Sequence, residues 1–215
     1  MINLDNEASI IAHDIDKPFD FALKRRIIAT LITGRSYLLR QSIVRNKRIP
    51  VECIQVFAIP VEKAESFSLY YIDNYKVSVR TREVVPIPIR TDMDSPFISV
   101  TSLDGSINFA YGDIATIRFN SHAGKFVSGT GRYIYHGEHV AAYTNEGSLL
   151  TSPMLLFRGV MENPLLVKDY ANHYRYSEDN FPMPGDMAMT LRQMILKGEL
   201  AIIPESQTIP VNYGK

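Results

Sequence analysis

The 215-residue chain contains one cysteine, Cys53, and no tryptophan. A lone thiol excludes an internal disulfide framework and the usual thiolate zinc cage, and it fits a protein kept in a reducing compartment. Net charge is also missing, since 23 Lys and Arg balance 23 Asp and Glu. That balance argues against a general polyanion binder, so any attraction to nucleic acid or to a membrane surface must come from local charge. No apolar run approaches the roughly 20 residues of a bilayer span. The opening MINLDNEASIIAHDIDK has early acids and no basic stretch leading into an apolar one, so no secretion signal is expected. The reading is of a soluble protein of the cytoplasm, with no membrane partner.

The most local absence says the most. From Phe21 to Val51 there is no Asp or Glu, whereas Lys24, Arg25, Arg26, Arg35, Arg40, Arg45, Lys47 and Arg48 are all present. Asp20, after Pro18 and Phe19, is a plausible N-cap, and Leu23, Ile27, Leu31, Leu38 and Leu39 follow at helical spacing. This spacing predicts a helix over 20–47, about 40 Å long unless Gly34 breaks it. At about 100° per residue, Phe21, Leu23, Ile27, Ile28, Leu31, Ile32, Leu38 and Leu39 fall in one arc, with Arg25, Arg26, Arg40, Lys47 and Arg48 opposite. Lys24 and Arg35 land inside the apolar arc. An unpaired charge is costly there, so they must snorkel, pair with an acid, or be relieved by a bend at Gly34.

After Pro50 the texture turns to short alternating or apolar runs: CIQVFAIPV, SFSLYYI, KVSVRT, VVPIPIR, PFISV, INFAY, ATIRFN, RYIYH, HVAAYT and LLFRGVM. Turn signals such as Asp104-Gly105 and His136-Gly137-Glu138 separate them, which points to hairpins rather than βαβ units. A second helical pattern, Met187, Leu191, Met194 and Ile195, follows a start near Asp186. The expected fold is α+β: a long N-terminal basic helix packed on an antiparallel sheet or small barrel, with a C-terminal helix and an extended arm. Its divisions are an N-terminal arm over 1–19, a single domain over 20–203 and an extended tail over 204–215. Within the domain lie the helix 20–47, a β region over 50–163 and a C-terminal helix over 185–199.

No motif names a reaction. GKFVSGTG (Gly124 to Gly131) has the wrong order for a phosphate loop and sits between strands, so it reads as a hairpin tip. His136 and His139 flank a Gly-Glu turn with no third ligand in view, which leaves a metal there the weaker reading. His13, His122 and His173 are scattered, Cys53 reads as a small core residue, and Asp92, Asp94, Glu178 and Asp179 lie in turn-like contexts. No catalytic residue, metal site or cofactor is assigned.

The basic run remains, with Arg25, Arg26, Arg40, Lys47 and Arg48 as the candidate charged interface and Lys24, Arg35 and Arg45 in a second tier. Two counterparts fit it: an acidic protein surface, or nucleic acid, in which case the protein is a small DNA- or RNA-binding module using residues 24–48. The plain alternative is a solvated face neutralised by acids folded near it. Between residues 161 and 205 seven acids meet four bases. This asymmetry favours pairing within or between copies of the chain.

The order of SYLLRQSI, RIPVECIQVFAIPVE, SPFISVTSLDG, INFAYGD, FRGVMENPLLV and FPMPGDMAMTLRQMILKGEL resembles that of structural proteins of crAss-like tailed bacteriophages, ring or adaptor proteins of the head-to-tail connector. The likeness runs over about residues 20 to 200 and is sharpest at GVMENP, Gly159 to Pro164. It implies a non-enzymatic virion protein of the neck or tail, made in the bacterial host cytoplasm. It further implies a homo-oligomeric, dodecameric ring, with portal and other connector or tail proteins as neighbours. Packaged DNA in the lumen is a further candidate partner.

Overall fold

The computed structural model describes residues 2–45, 48–65, 68, 71–72, 75–90, 95–120, 130–145, 149, 153–167 and 179–202, with backbone only at 118–120 and 130. The chain groups into two compact units, Met1–Ile54 with Glu162–Lys215, and Gln55–Met161. The first unit is helical and is drawn from both sequence flanks of the second, which is built mainly of strands.

In the helical unit, α1 (Leu4–Asp14) occupies most of the segment expected to be an N-terminal arm. Asn3 caps it, its side chain accepting from Asn6 N at 2.9 Å, and Leu4, Ala8, Ile11 and Ala12 form the stripe that buries it. The second helix, α2 (Phe21–Val44), starts where the sequence places it, with the Asp20 carboxylate accepting from Leu23 N at 2.9 Å. It stops at Val44 rather than at residue 47, with Arg45 as its C-cap. Gly34 does not break it. A Cβ at Gly34 would lie 2.7 Å from a Leu191 methyl and 3.0 Å from a Leu200 methyl, so the missing side chain allows another segment to approach closely. That segment is α4 (Gly185–Leu196), which ends before the expected residue 199, where Gly198 turns left-handed at φ 72°. Ile27, Leu31, Leu191 and Ile195 share one core with α1, Phe181 and Met183.

The β unit is a closed barrel in the order β1-β2-β6-β5-β4-β3-β7. Its strands are β1 (Gln55–Lys63), β2 (Val77–Thr81), β3 (Ser99–Ser102), β4 (Asn108–Tyr111), β5 (Thr130–His136), β6 (His139–Thr144) and β7 (Met154–Gly159). Pairing is antiparallel throughout except for β4 with β5, which run parallel. A parallel neighbour requires a crossover. The connection between these two strands includes α3 (Ile114–Asn120), which replaces the strand expected at ATIRFN. Asp113 starts α3 by accepting from Thr116 N at 2.6 Å and from the Thr116 hydroxyl at 3.0 Å. VVPIPIR forms a single bridge, Pro88 with Met161. Most of SFSLYYI lies outside the described residues. His136 and His139 face each other across a two-residue turn in which Gly137 and Glu138 both have positive φ, a hairpin geometry that matches strand twist.

Register fixes which side chains share the interior. Phe57 lies opposite Phe157, Phe157 opposite Val100, Val100 opposite Phe109, and Phe109 opposite Gly131. Phe97 sits among them, with ring centroids 5.1 Å from Phe157 and 6.1 Å from Tyr133. These stacked and tilted aromatics fill the barrel. On the opposite face of β5 and β6, Ile134, Ala141 and Tyr143 are covered by Ile72, Tyr75 and Ile117, so both strands are buried on two sides.

Burial pushes the Tyr133 phenol from its ordinary 10.0 up to about 12, despite a bond to the Ser95 hydroxyl at 3.1 Å. Below pH 10 folded and unfolded chains both keep this proton. Between 10 and about 12 only the unfolded chain releases it, so stability falls as pH rises through that window. Tyr133→Phe is therefore expected to flatten the alkaline loss of stability, as read from denaturant midpoints across this range. An unchanged slope counts against burial of the phenol.

Candidate assembly interface

On α2 the exposed or half-exposed residues form one face that includes Ala22, Arg25, Arg26, Ala29, Thr33, Tyr37, Arg40 and Val44. Leu23, Ile27, Thr30, Leu31, Gly34 and Arg35 form the buried face. The sequence therefore places Arg25, Arg26 and Arg40 together on the outer side. Arg45 and Arg48 are exposed at the far end, and Lys47 lies outside the described residues.

Phe21 departs from its expected place in the apolar arc. It is 74% exposed, and Phe19 is 88% exposed. Lys24 resolves its conflict locally, with its ammonium 5.8 Å from the centre of the Phe21 ring. Arg35 is fully buried, which removes it from the surface. Its Nε donates to the Pro182 carbonyl at 2.8 Å, its Nη2 donates to the Cys53 carbonyl at 3.2 Å, and the guanidinium lies 5.7 Å from the Phe181 ring centre. Three segments of the helical unit meet on this one side chain. Burial also raises the Cys53 thiol above its ordinary value, with the Arg35 charge acting in the opposite direction.

Arg40 pairs with Glu162, whose backbone carbonyl also accepts from the Ser36 hydroxyl at 2.5 Å. One acid of the C-terminal third thus answers one base of the run within the chain. Arg192 of α4 pairs similarly with Glu7 of α1 at 2.6 Å. The partners lie 122 and 185 residues apart, so spacing gave no signal for either pair.

A groove of about 350 Å³ lies between the C-terminal end of α2 and the start of α4. Leu38, Pro50, Pro184 and Met187 supply apolar lining, Arg45 and Arg48 supply basic charge, and Asp186 supplies one acid. Nothing in the sequence pattern marked it.

Elsewhere, the His139 Nδ1 lies 3.0 Å from the Thr81 carbonyl oxygen, which ties the turn histidine to β2. Among the described residues no group of three or more His, Cys, Asp or Glu is arranged to hold a metal ion. Among them also, no helix is long and apolar enough to cross a membrane. Residues 124–129 of GKFVSGTG, together with His122, His173, Asp92, Asp94 and Glu178, lie outside the described residues.

No curated protein matches the chain. A family model does match, described as phage tail ring protein 2 (CrAss_Ring_2), and it covers residues 11–213. Because that match spans nearly the whole sequence, both units included, the chain belongs to the phage tail ring protein 2 family.

Proposed function

We propose that the protein is a non-enzymatic subunit of a ring in the head-to-tail connector of a tailed bacteriophage, working through protein-protein assembly around the DNA exit path. The reading extends from family membership to a homo-oligomer, dodecameric, in the neck or tail of the virion. Portal and other connector or tail proteins are its neighbours. The observation that carries it is the outer face of α2, where Arg25, Arg26 and Arg40 line up with no acid between Phe21 and Val51, in a chain whose total charge is zero.

A ring needs heterologous contacts, in which one patch of a subunit meets a different patch of the next. Opposite charges on one neutral chain suit such contacts and steer their register. DNA in the lumen is a weaker counterpart. Burial of Arg35 and pairing of Arg40 with Glu162 leave fewer bases of the run available for phosphate contacts.

Arg25→Glu with Arg48→Glu is expected to block ring assembly while leaving the helical unit folded, since both positions are exposed and neither is the base that pairs with Glu162. Size-exclusion chromatography and negative-stain imaging read the outcome. Rings that form normally, with this face still in solvent, would count against the assignment.

A further inference from the structure

Two exposed apolar clusters mark opposite ends of α2, and they differ in charge. At the elbow between α1 and α2, Phe19 and Phe21 are 88% and 74% exposed. The loop 14–20 holds Asp14, Asp16 and Asp20 against Lys17, and the Lys24 ammonium lies on the Phe21 ring. At the far end Val44 and Val51 are 83% and 76% exposed. They neighbour Arg45 and Pro50, which line the groove of about 350 Å³ together with Leu38, Arg48, Pro184 and Met187. The 24 residues of α2 hold the two ends about 36 Å apart.

We propose that the aromatic elbow of one copy seats in the α2–α4 groove of a second copy, as a heterologous contact that repeats around the ring. This rests on the ring reading and gives it a specific interface. Large exposed phenyl rings at a helix junction have the character of interface anchors, since aromatic side chains dominate association energies when they enter a desolvated pocket. The groove falls in the size range, about 300–1,000 Å³, of sites that take compact organic groups. Charge favours this pairing over elbow to elbow or groove to groove. The loop at the elbow carries Asp14, Asp16 and Asp20 against Lys17 and the Lys24 ammonium that lies on Phe21, whereas Arg45 and Arg48 outnumber Asp186 around the groove. Because the two patches lie far apart on one subunit, they cannot satisfy each other within it. A chain of such contacts closes into a ring or continues as a filament, according to the rotation per subunit.

The test compares variants by native mass spectrometry over a concentration series. Phe19→Ala with Phe21→Ala is expected to weaken assembly about 30-fold or more, with unchanged helical circular dichroism because both rings are exposed. Asp14→Arg with Asp16→Asn, and separately Arg45→Glu with Arg48→Glu, are each expected to weaken it about tenfold or more. An equimolar mixture of these two charge variants restores assembly, since alternating subunits then present only opposite charges to each other. Rings from the double-Phe variant at wild-type concentrations overturn this contact and leave the ring reading standing. A mixture that fails to recover where each charge variant fails alone overturns the charge-matched docking. A wild-type chain that stays monomeric at every attainable concentration overturns the ring reading itself.

Discussion

Arg35→Leu is expected to destabilise the helical unit by about 3 kcal/mol or more, the largest effect of any single side-chain change in that unit. Leucine can fill much of the same space, and replacing a buried charge with an apolar group is sometimes neutral. Here the partners decide otherwise. The Pro182 and Cys53 carbonyls accept from the guanidinium and are backbone, so they remain when the side chain is removed. Each buried acceptor left dry costs about 1–3 kcal/mol. Loss of the guanidinium charge over the Phe181 ring adds to this. Arg35→Lys is expected to fall between wild type and leucine, because an ammonium on a flexible stem does not reproduce the planar fork that reaches two carbonyls. Urea unfolding followed by helical circular dichroism reads both variants. A loss below about 1 kcal/mol for Arg35→Leu contradicts the role given to this residue.

Gly131→Ala is expected to cost the barrel about 3 kcal/mol. Gly131 on β5 lies directly opposite Phe109 on the parallel strand β4. A Cβ there would fall 2.3 and 2.4 Å from two carbons of the Phe109 ring and 3.0 Å from the Tyr143 carbonyl oxygen. The ring is rigid and buried, so it cannot move aside without disturbing Val100 and its other neighbours in the interior. Phe109→Leu in the same chain removes part of the clash. The double variant is therefore expected to be more stable than the sum of the two single losses predicts, by about 1–2 kcal/mol. Simple additivity would mean that the alanine is accommodated by backbone movement instead.

These two residues show what the sequence did and did not disclose. Arg35 was conspicuous, being a cation within an apolar arc, but its resolution was not. Two backbone carbonyls that help to hold it, at Cys53 and Pro182, lie 18 and 147 residues away and left no mark in the sequence pattern. Gly131 looked like part of a flexible loop because its reason lies on another strand. Local signals were sound where the physics is local: the Asp20 cap and the apolar period set the start of α2, and the Gly137-Glu138 turn set a hairpin. Expectation failed where short segments carry mixed signals. The stripe of α1 is only four buried residues long, and ATIRFN alternates like a strand although Asp113 caps it as a helix. Barrel closure and the parallel β4–β5 pair depend on register between distant segments, which a single sequence does not encode visibly.

The candidate interface follows the same division. The outer face of α2 was legible from helical periodicity, with Arg25, Arg26 and Arg40 grouped as expected. Pairing of Arg40 with Glu162, and the groove beside Arg45 and Arg48, arise from chain segments brought together only by folding.

The most direct test of the account is the mass of the purified wild-type protein by native mass spectrometry, with and without double-stranded DNA. The account predicts a closed assembly of a single stoichiometry whose mass does not change when DNA is added. A small species that binds DNA, with an affinity falling steeply as salt rises, would contradict it and make the basic run of α2 a nucleic-acid footprint.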